Sequence, residues 1–519
     1  METKNPFYMI SKYSKSLFLA LLICFSGFNL LAQDKLKNMP GHAQFTKIAP
    51  QIRGSLKPGV VYAKWADDSK TFEYVKDGKL WQYDVKKDEM TDMGTPPRPE
   101  RRPRAWRPAR GRQYPLADSP NGEWKAFTEN RNMYLSKPDG SGRIAITRDG
   151  NTENMNKYGI ATWVYGEELG QNTAMWWSPD SKKIAFYKFN EKGAKQYYVL
   201  LDQLALYDSL EIMSYPKVGE ANLPVDLMVY DLDTKKITEF DVRDGAFKDG
   251  PLATYLYGMA WTPDGKEFLY HSTNRKQDIM EYRAGNPETG ETRVVVREEW
   301  LPSFTKNTPE MRVLEDGEHF IWASERTGFN NYYLYNWDGT LVNAITQHEF
   351  EVSNIVRVDE KDGMLYYMAR SGDNHMKMQL HSVKLDGTKD TRMTDPTMNH
   401  SVNISPDGKH FIDIMQTHNT PPVTKLISAK GKELATLAES DISKWEALGL
   451  KTVEAFTFTS ADGVTELHGL LHFPSNFDPN KKYPLLLANY GGPATNEFRE
   501  TFTMPNALTE YGFLVADID

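Results

Sequence analysis

A turn followed by a strand-like run recurs along this chain, and this repeat constrains the fold more than any other feature. Proline presets the first dihedral angle of such a turn, Asp or Asn hydrogen-bonds the following backbone, and glycine takes the left-handed conformation that closes a hairpin. Seven copies are present: WADDSKTFEYV at 65, DSPNGEWKAF at 118, WSPDSKKIAFY at 177, WTPDGKEFLYH at 261, VLEDGEHFIWA at 313, VDEKDGMLYYMA at 358 and ISPDGKHFIDIM at 404.

Most copies are followed by a second hairpin, so that each repeat supplies four short antiparallel strands. The second hairpins are KLWQYDVKKDEMTDM at 79, NMYLSKPDGSGRIAIT at 132, DLMVYDLDTKKITEF at 226, NYYLYNWDGTLVNAIT at 331 and MQLHSVKLDGTKDTRMT at 378. Four strands at a spacing of about 45 to 60 residues are typical of a β-propeller blade, and blades stacked in a ring protect their sheet edges. The alternative is a series of β-sandwiches or separate small β domains, but the even spacing favours the propeller.

We therefore predict a mostly β chain with a propeller of seven to eight four-stranded blades. The interval between Asp180 and Asp264 is longer than the others, and it predicts an insertion or a whole extra blade around KGAKQYYVLLDQLALYDSLEIMSYP. A chain of 519 residues also exceeds what one ordinary hydrophobic core supports, so at least two domains are expected.

The pattern changes near residue 445. The stretch ISKWEALGL at 442 predicts a helix, and a longer hairpin turning at Asp462-Gly463 follows it. Apolar strands are expected at Tyr483 to Asn489 and Gly512 to Ile518, with a helical stretch from about Thr495 to Glu510, interrupted at Pro505, between them. Strand, helix and strand indicate the beginning of a parallel sheet, whose open apolar edge makes the domain look unfinished at Asp519.

The amino terminus has the pattern of an export signal over residues 1–32. Three lysines precede the apolar run Leu17 to Phe25, and Leu30-Leu31-Ala32 offers a processing point before Gln33. The run is short for a membrane span, so we expect an exported periplasmic or extracellular protein, with a retained amino-terminal anchor as the alternative. Cys24, the only cysteine, lies inside this segment, so the mature chain forms no disulfide.

Charge argues against nucleic acid as a partner. The formal net charge is -8 and the isoelectric point is about 5.9, which also disfavours an anionic membrane surface. The stretch RPERRPRAWRPARGR, residues 98 to 112, holds seven arginines. Its prolines and the predicted export favour a solvated loop between blades over a nucleic-acid arm.

Three stretches carry a resemblance to a known family. They are WVYGEELGQNTAMWWSPDSKKIAFYKFNE at 163, YPKVGEANLPVDLMVYDLDT at 215 and KKYPLLLANYGGP at 481. Together they resemble the dipeptidyl peptidase IV family of serine exopeptidases, within the prolyl oligopeptidase group. The resemblance implies a propeller at 33–445, the start of an α/β-hydrolase domain at 446–519, and removal of dipeptides, usually after proline or alanine. It also implies a peptide substrate with a free amino terminus, and dimers are common in the family.

Glu167 and Glu168 are the residues that the resemblance assigns to the peptide amino terminus. An ammonium is a compact cation with several donors, and two convergent carboxylates accept from it while rejecting a blocked amino group. Adjacent residues point to opposite faces of a strand, so the pair must lie on a helical turn or loop to converge. The alternative is a solvated surface pair. The family also uses a propeller arginine for a substrate carbonyl, and Arg110 and Arg112 are candidates between which the sequence does not choose.

Tyr490 is expected to stabilise the oxyanion of acyl transfer, as the corresponding tyrosine of the family does. A phenol is a neutral donor at pH 7, and this one follows a predicted hydrolase strand. The alternative is an aromatic ring packed under the turn, with the two glycines after it serving backbone geometry only.

The sequence departs from the family in lacking its catalytic triad. No Gly-x-Ser-x-Gly elbow occurs in the 519 residues, and that elbow carries the nucleophilic serine of such enzymes. His468 and His472 precede the place where an elbow would lie and are interpreted as strand residues. No HExxH and no cysteine pair is present, so we expect no metal and no cofactor. Two hypotheses follow: a truncated secreted serine dipeptidyl peptidase, inactive alone, or a noncatalytic peptide-binding or scaffold propeller.

Overall fold

The computed structural model describes residues 35–97, 107–202, 204–243, 254–492 and 495–519. The predicted signal segment and most of the arginine-rich stretch lie outside the described residues. Three α-helices and one 3₁₀ helix lie wholly in this part of the chain: α1 (His42–Ile52), α2 (Trp163–Glu167), α3 (Ser443–Ala447) and the 3₁₀ helix (Ala507–Tyr511). None of these helices has the length and apolar character needed to cross a membrane.

Strands dominate the described residues, and the first three sheets follow one another along the chain. Sheet 1 is β1 (Ala63–Trp65), β2 (Thr71–Lys76), β3 (Lys79–Asp84) and β4 (Glu89–Asp92). Sheet 2 is β5 (Leu116–Asp118), β6 (Lys125–Glu129), β7 (Asn132–Ser136) and β8 (Ile144–Ala145). Sheet 3 is β10 (Met175–Trp177), β11 (Lys183–Asn190), β14 (Val225–Asp231) and β15 (Ile237–Glu239), with β9 (Asn156–Tyr158) paired to β11.

The next four sheets repeat the same four-stranded order. Sheet 4 is β16 (Tyr255–Trp261), β17 (Phe268–Thr273), β18 (Ile279–Gly285) and β19 (Thr292–Glu299). Sheet 5 is β20 (Met311–Val313), β21 (His319–Ser324), β22 (Asn331–Asn336) and β23 (Leu341–Ala344). Sheet 6 is β24 (Val352–Asp359), β25 (Met364–Ala369), β26 (Gln379–Lys384) and β27 (Thr391–Arg392). Sheet 7 is β28 (Asn399–Ile404), β29 (His410–Gln416), β30 (Val423–Ser428) and β31 (Glu433–Ala438).

The repeated turn joins the first two of these four strands in all seven sheets, as predicted. One residue of each turn has a positive φ between 59° and 71°. In sheets 3, 4 and 7 a hydroxyl also donates to the acid two residues later, as from Ser178 to Asp180 at 2.6 Å and from Thr262 to Asp264 at 2.7 Å. The left-handed residues are Ser69, Gly122, Ser181, Gly265, Gly317, Gly363 and Gly408.

The long interval in sheet 3 contains a hairpin and not an additional four-stranded sheet. Its strands, β12 (Gln196–Leu200) and β13 (Leu210–Ser214), pair with each other and are inserted between β11 and β14. These two five-residue strands are the only ones that the described residues of 191–224 form. The described residues therefore contain seven blade-like sheets.

The described residues form two compact units. One holds residues 35–97, 353–382 and 389–519, and the other holds the described residues of 107–352 and 383–388. In the first unit, sheets 1 and 7 share a core that includes Phe72, Tyr74 and Leu426. In the second, a common core joins sheets 3 and 4, and further cores join sheets 2 and 3 and sheets 4 and 5. Neighbouring sheets thus bury apolar side chains against one another in each unit, and this burial stabilises the fold.

The last four strands form a mixed sheet in the order β32 (Glu454–Thr459), β33 (Glu466–His472), β35 (Leu514–Ile518) and β34 (Leu485–Ala488). The expected parallel pair is present, since β34 runs parallel to β35. The expected helix at Thr495 to Glu510 is wrong, because its only helical part is the 3₁₀ helix. The amides of Glu497 and Phe498 donate to the carboxylate of Asp519 at 2.9 and 3.1 Å.

Candidate functional site

The acid pair lies at the end of helix α2, in the second unit. Glu167 is the last residue of the helix, and Glu168, its carboxyl-terminal cap, keeps a right-handed helical conformation. This confirms that the two carboxylates lie on a helical turn, where consecutive side chains are about 100° apart. The Glu167 side chain is 15% exposed, whereas Glu168 is an exposed residue.

Tyr165 fixes this short helix to the core. Its ring is buried and makes edge-on contacts with Tyr187 and Phe189, at centroid distances of 5.5 and 5.0 Å. Its hydroxyl accepts from the Leu256 amide at 3.3 Å, and burial raises the pKa of the phenol. A five-residue helix is too short to be stable alone, so this anchor and its neighbours define where the acids stand.

The arginine-containing loop before β5 packs directly on helix α2. A Cβ built on Gly166 would lie 2.4 Å from the carbonyl oxygen of Gly111, and one built on Gly111 would lie 2.2 Å from Nε1 of Trp163. Gly111 also has a positive φ of 71°. Only glycine at both positions allows this approach.

Gln113 holds the acid-bearing turn on both sides. Its Oε1 accepts from the amide of Ala161, just before the helix, at 3.2 Å. Its Nε2 donates to the carbonyl of Gln171, just after the helix, at 3.2 Å. Gln113 is 7% exposed, so these two bonds act in a largely dry environment where they are strong.

This packing places Arg110 and Arg112 in separate ion pairs, a result that the sequence did not predict. Arg110 binds the Glu167 carboxylate through Nε and Nη2, and this carboxylate raises the pKa of the guanidinium. Arg112 pairs with Glu211 of the inserted hairpin at 2.6 Å. Within the described residues Glu168 makes no ion pair, so the two acids and Arg110 together carry a net charge of about -1 and suit a small cation.

Tyr490 lies in the first unit, after the edge strand β34. The residue is 74% exposed and lines a cavity of about 430 Å³ together with Arg370, Phe498 and Arg499. A Cβ on Gly492 would lie 2.3 Å from Cε1 of the Tyr490 ring. The ring can therefore occupy this position only because residue 492 has no side chain.

His468 and His472 are both on β33, as predicted. The ring of His468 faces His375, at a centroid distance of 4.7 Å. His472 is buried, with Nε2 3.0 Å from Asp517 and Nδ1 accepting from the Asn506 amide at 3.0 Å. Both nitrogens of His472 are therefore occupied by structural bonds, and burial lowers its pKa.

Comparison with known proteins defines the class to which these sheets and this acid-bearing turn belong. Residues 65–422 match the family model described as the dipeptidyl peptidase IV N-terminal region. The chain belongs to this family, and its fold is a mostly β propeller fold followed by the mixed sheet.

Curated relatives are similar over most of the chain. A probable dipeptidyl-aminopeptidase B of Pyrenophora teres f. teres is 28% identical over 488 residues, which cover 88% of this chain and 52% of the relative. Dipeptidyl peptidase 4 of Trichophyton rubrum is 27% identical over 419 residues, covering 77% of this chain and 52% of the relative. The chain thus spans about half the length of the curated relatives it matches.

Two solved structures share the fold. Dipeptidyl peptidase 4 of Porphyromonas gingivalis superposes with a TM-score of 0.61 at 22% identity, covering 89% of this chain and 62% of that one. A putative dipeptidyl aminopeptidase IV of Bacteroides ovatus gives a TM-score of 0.60 at 24% identity, covering 87% and 63%.

Proposed function

We propose that this chain is the peptide-recognising part of an exported serine dipeptidyl peptidase, in which Glu167 and Glu168 bind the ammonium group of a peptide amino terminus. The proposal includes a signal at residues 1–32, a propeller at 33–445 and the start of a hydrolase domain at 446–519. The observation that carries it is the acid pair on one helical turn, where a single guanidinium, that of Arg110, pairs with Glu167.

The chemistry of recognition follows from that charge balance. A peptide ammonium offers three donors and one positive charge. With Arg110 as its only cation, the acid-bearing turn is one positive charge short of neutrality. Glu168 supplies an exposed carboxylate at once, while Glu167 has a second oxygen beyond the one that Arg110 holds. An acetylated amino terminus has neither the charge nor the extra donors, so the site selects free amino termini.

A binding measurement tests this directly. We expect the full chain to bind a fluorescein-labelled Ala-Pro hexapeptide with a free amino terminus about tenfold more tightly than its N-acetylated form, as charge-assisted hydrogen bonds warrant. Glu168→Gln should remove most of that preference. Glu123→Gln, which changes an exposed acid at the turn before β6, should leave it intact. Equal affinity for the two peptides would overturn the proposal.

The catalytic half of the proposal concerns Tyr490, whose exposed phenol would donate to the oxyanion of acyl transfer. A nucleophile is needed for that step, and these 519 residues contain no Gly-x-Ser-x-Gly elbow. The chain by itself should therefore not hydrolyse a dipeptidyl-proline chromogenic substrate. Turnover that a serine-directed fluorophosphonate abolishes would contradict this expectation.

A further inference from the structure

A second polar cavity adjoins the first residue of helix α2. Its volume is about 520 Å³, which lies within the range of small-ligand sites. Trp163 forms part of its wall, and the inserted hairpin contributes Glu211 and Ile212. The cavity lies wholly in the second unit.

A mostly buried ionic cluster lines this cavity. Lys157 Nζ is 2.6 Å from one oxygen of Glu191, and Arg131 Nη2 is 2.7 Å from the other. The side chains are 12%, 24% and 6% exposed for the lysine, the arginine and the glutamate. Two cations thus face one acid. The other ion pair of the cavity, Arg112 with Glu211, is neutral, so one positive charge remains in excess.

The guanidinium of Arg131 has more hydrogen-bond donors than the described residues accept from. Arg131 donates from Nε to the Asn156 carbonyl at 2.9 Å and from Nη2 to the Met155 carbonyl at 2.8 Å. Its Nη1 has no acceptor in the described part of the chain and can therefore donate to a ligand in the cavity. Burial also lowers the pKa of Lys157, because Glu191 only partly offsets the loss of water around the ammonium. A negatively charged oxygen of a ligand would accept from Arg131 Nη1 and would compensate the Lys157 ammonium for its loss of water.

The remaining walls narrow the ligand class. Met155, Ile160, Ile212 and Met213 add apolar walls to the charged lining of the cavity, and such a lining fits a carboxylate on a short aliphatic stem. Trp163 and Glu167 are four positions apart in one helix, about 6 Å along its axis, a distance that one amino-acid side chain spans. We infer that this cavity binds the acidic side chain of a peptide's amino-terminal residue. That the ligand is a peptide rests on the proposed function, whereas the charge and lining of the cavity do not.

Paired peptides test the inference. The full chain should bind a Glu-Pro hexapeptide about tenfold more tightly than the matched Gln-Pro hexapeptide. Lys157→Met removes the excess charge but leaves Glu191 paired with Arg131, so the preference should fall to about onefold. Glu191→Gln raises the excess charge and should increase the preference. A merely structural cluster would not shift the ratio in opposite directions in the two variants.

A second ionic cluster in the same unit provides the control. Lys188 and Arg243 share Asp226 in the same two-to-one arrangement but do not line the cavity, so Lys188→Met should leave the Glu-to-Gln ratio unchanged. N-acetylated versions of both peptides separate the two proposals: they should bind more weakly but keep the ratio. A ratio near one in the native chain, with either amino terminus, would overturn the cavity inference, whereas loss of the free-to-acetylated difference alone would overturn only the proposed function.

Discussion

Gly166 of helix α2 packs against the backbone of Gly111, and no side-chain atom fits between them. The Cβ of an alanine at 166 would lie 2.4 Å from the Gly111 carbonyl oxygen and 2.5 Å from its carbonyl carbon. Both obstructing atoms are backbone, so they cannot swing away as the end of a flexible side chain would. The contact ties the arginine loop to the turn that bears the two acids.

Gly166→Ala should therefore separate the loop from the helix. We expect a loss of about 1–3 kcal/mol in the free energy of unfolding, as for other overpacked sites, and weaker binding of peptides with free amino termini. Urea unfolding and fluorescence polarisation measure the two effects. Gly193→Ala is the matched control, because a Cβ there meets no atom within 4 Å, and it should change stability by no more than about 0.5 kcal/mol. Equal behaviour of the two variants would contradict the contact.

His271 makes stability depend on pH. The residue lies on β17 among the rings of Tyr257, Tyr282 and Trp322, at centroid distances of 5.4, 4.8 and 6.1 Å. Burial lowers its pKa from 6.5 to about 4, more than the backbone groups of Gly258 and Tyr257 raise it. The unfolded chain therefore binds a proton at a pH where the folded chain does not.

The sign of the effect follows. The contribution of His271 to stability is complete above pH 6.5 and is lost as the pH falls towards 4, by up to about 3 kcal/mol. In His271→Phe the ring stays neutral at every pH. Urea unfolding of both chains between pH 7 and 4 should show the stability of the native chain falling relative to the variant. A difference that stays constant across this range would show that His271 does not titrate in this way.

The turns and the helical placement of the acids were predictable because both depend on neighbours in sequence. Proline, Asp and glycine set a turn within four residues, and two adjacent carboxylates can converge only if the chain is not extended there. The pairing of Arg110 with Glu167 was not predictable. It joins residues 57 positions apart and depends on two glycines whose importance appears only when the loop and the helix are in contact.

The missing helix after Thr495 has the same kind of cause. Glu500 lies inside the expected helical stretch, but it is 3% exposed and accepts hydrogen bonds from Asn374 and His418, which are 126 and 82 residues away. Tertiary bonds of this kind override local helix propensity. The turn of the last hairpin and the apolar strands β34 and β35 were predictable, because they rest on local turn and strand patterns.

Two left-handed turn residues should respond differently to glycine. Lys235 has a φ of 59°, a conformation that costs a residue with a Cβ about 1–2 kcal/mol. Lys235→Gly should therefore stabilise the chain by about 0.5 kcal/mol, after the larger entropy of the unfolded glycine variant is counted. Ser181 has a φ of 62°, but its hydroxyl accepts from the Asn121 amide at 3.1 Å.

Ser181→Gly loses that hydrogen bond, so the gain in backbone freedom should be cancelled or reversed. Thermal unfolding of the two variants beside the native chain measures the difference. An equal increase in melting temperature for both would show that the hydroxyl bond between sheets 2 and 3 contributes nothing.

Glu500, in the first unit, also makes stability depend on pH. Here the folded chain favours the charged form of an acid, whereas at His271 it favours the neutral form of a base. Although burial raises the pKa of this carboxyl, the bonds from His418 and Asn374 outweigh that effect and lower the pKa to about 2. A depressed carboxyl pKa stabilises the folded chain above pH 4.5, and the contribution is lost as the pH falls towards 2. Glu500→Gln should lower the free energy of unfolding at pH 7 by about 3 kcal/mol.

The deficit of Glu500→Gln should shrink as the pH falls from 5 towards 2, since the carboxyl then takes up a proton in the unfolded chain while it is still ionised in the folded chain. Glu497→Gln, three residues earlier, is the control. Only its backbone amide is engaged, with Asp519, and it should stay within about 0.5 kcal/mol of the native chain at every pH. If the deficit of Glu500→Gln were the same at pH 7 and pH 3, the variant would be acting through packing and not through the charge that His418 and Asn374 stabilise.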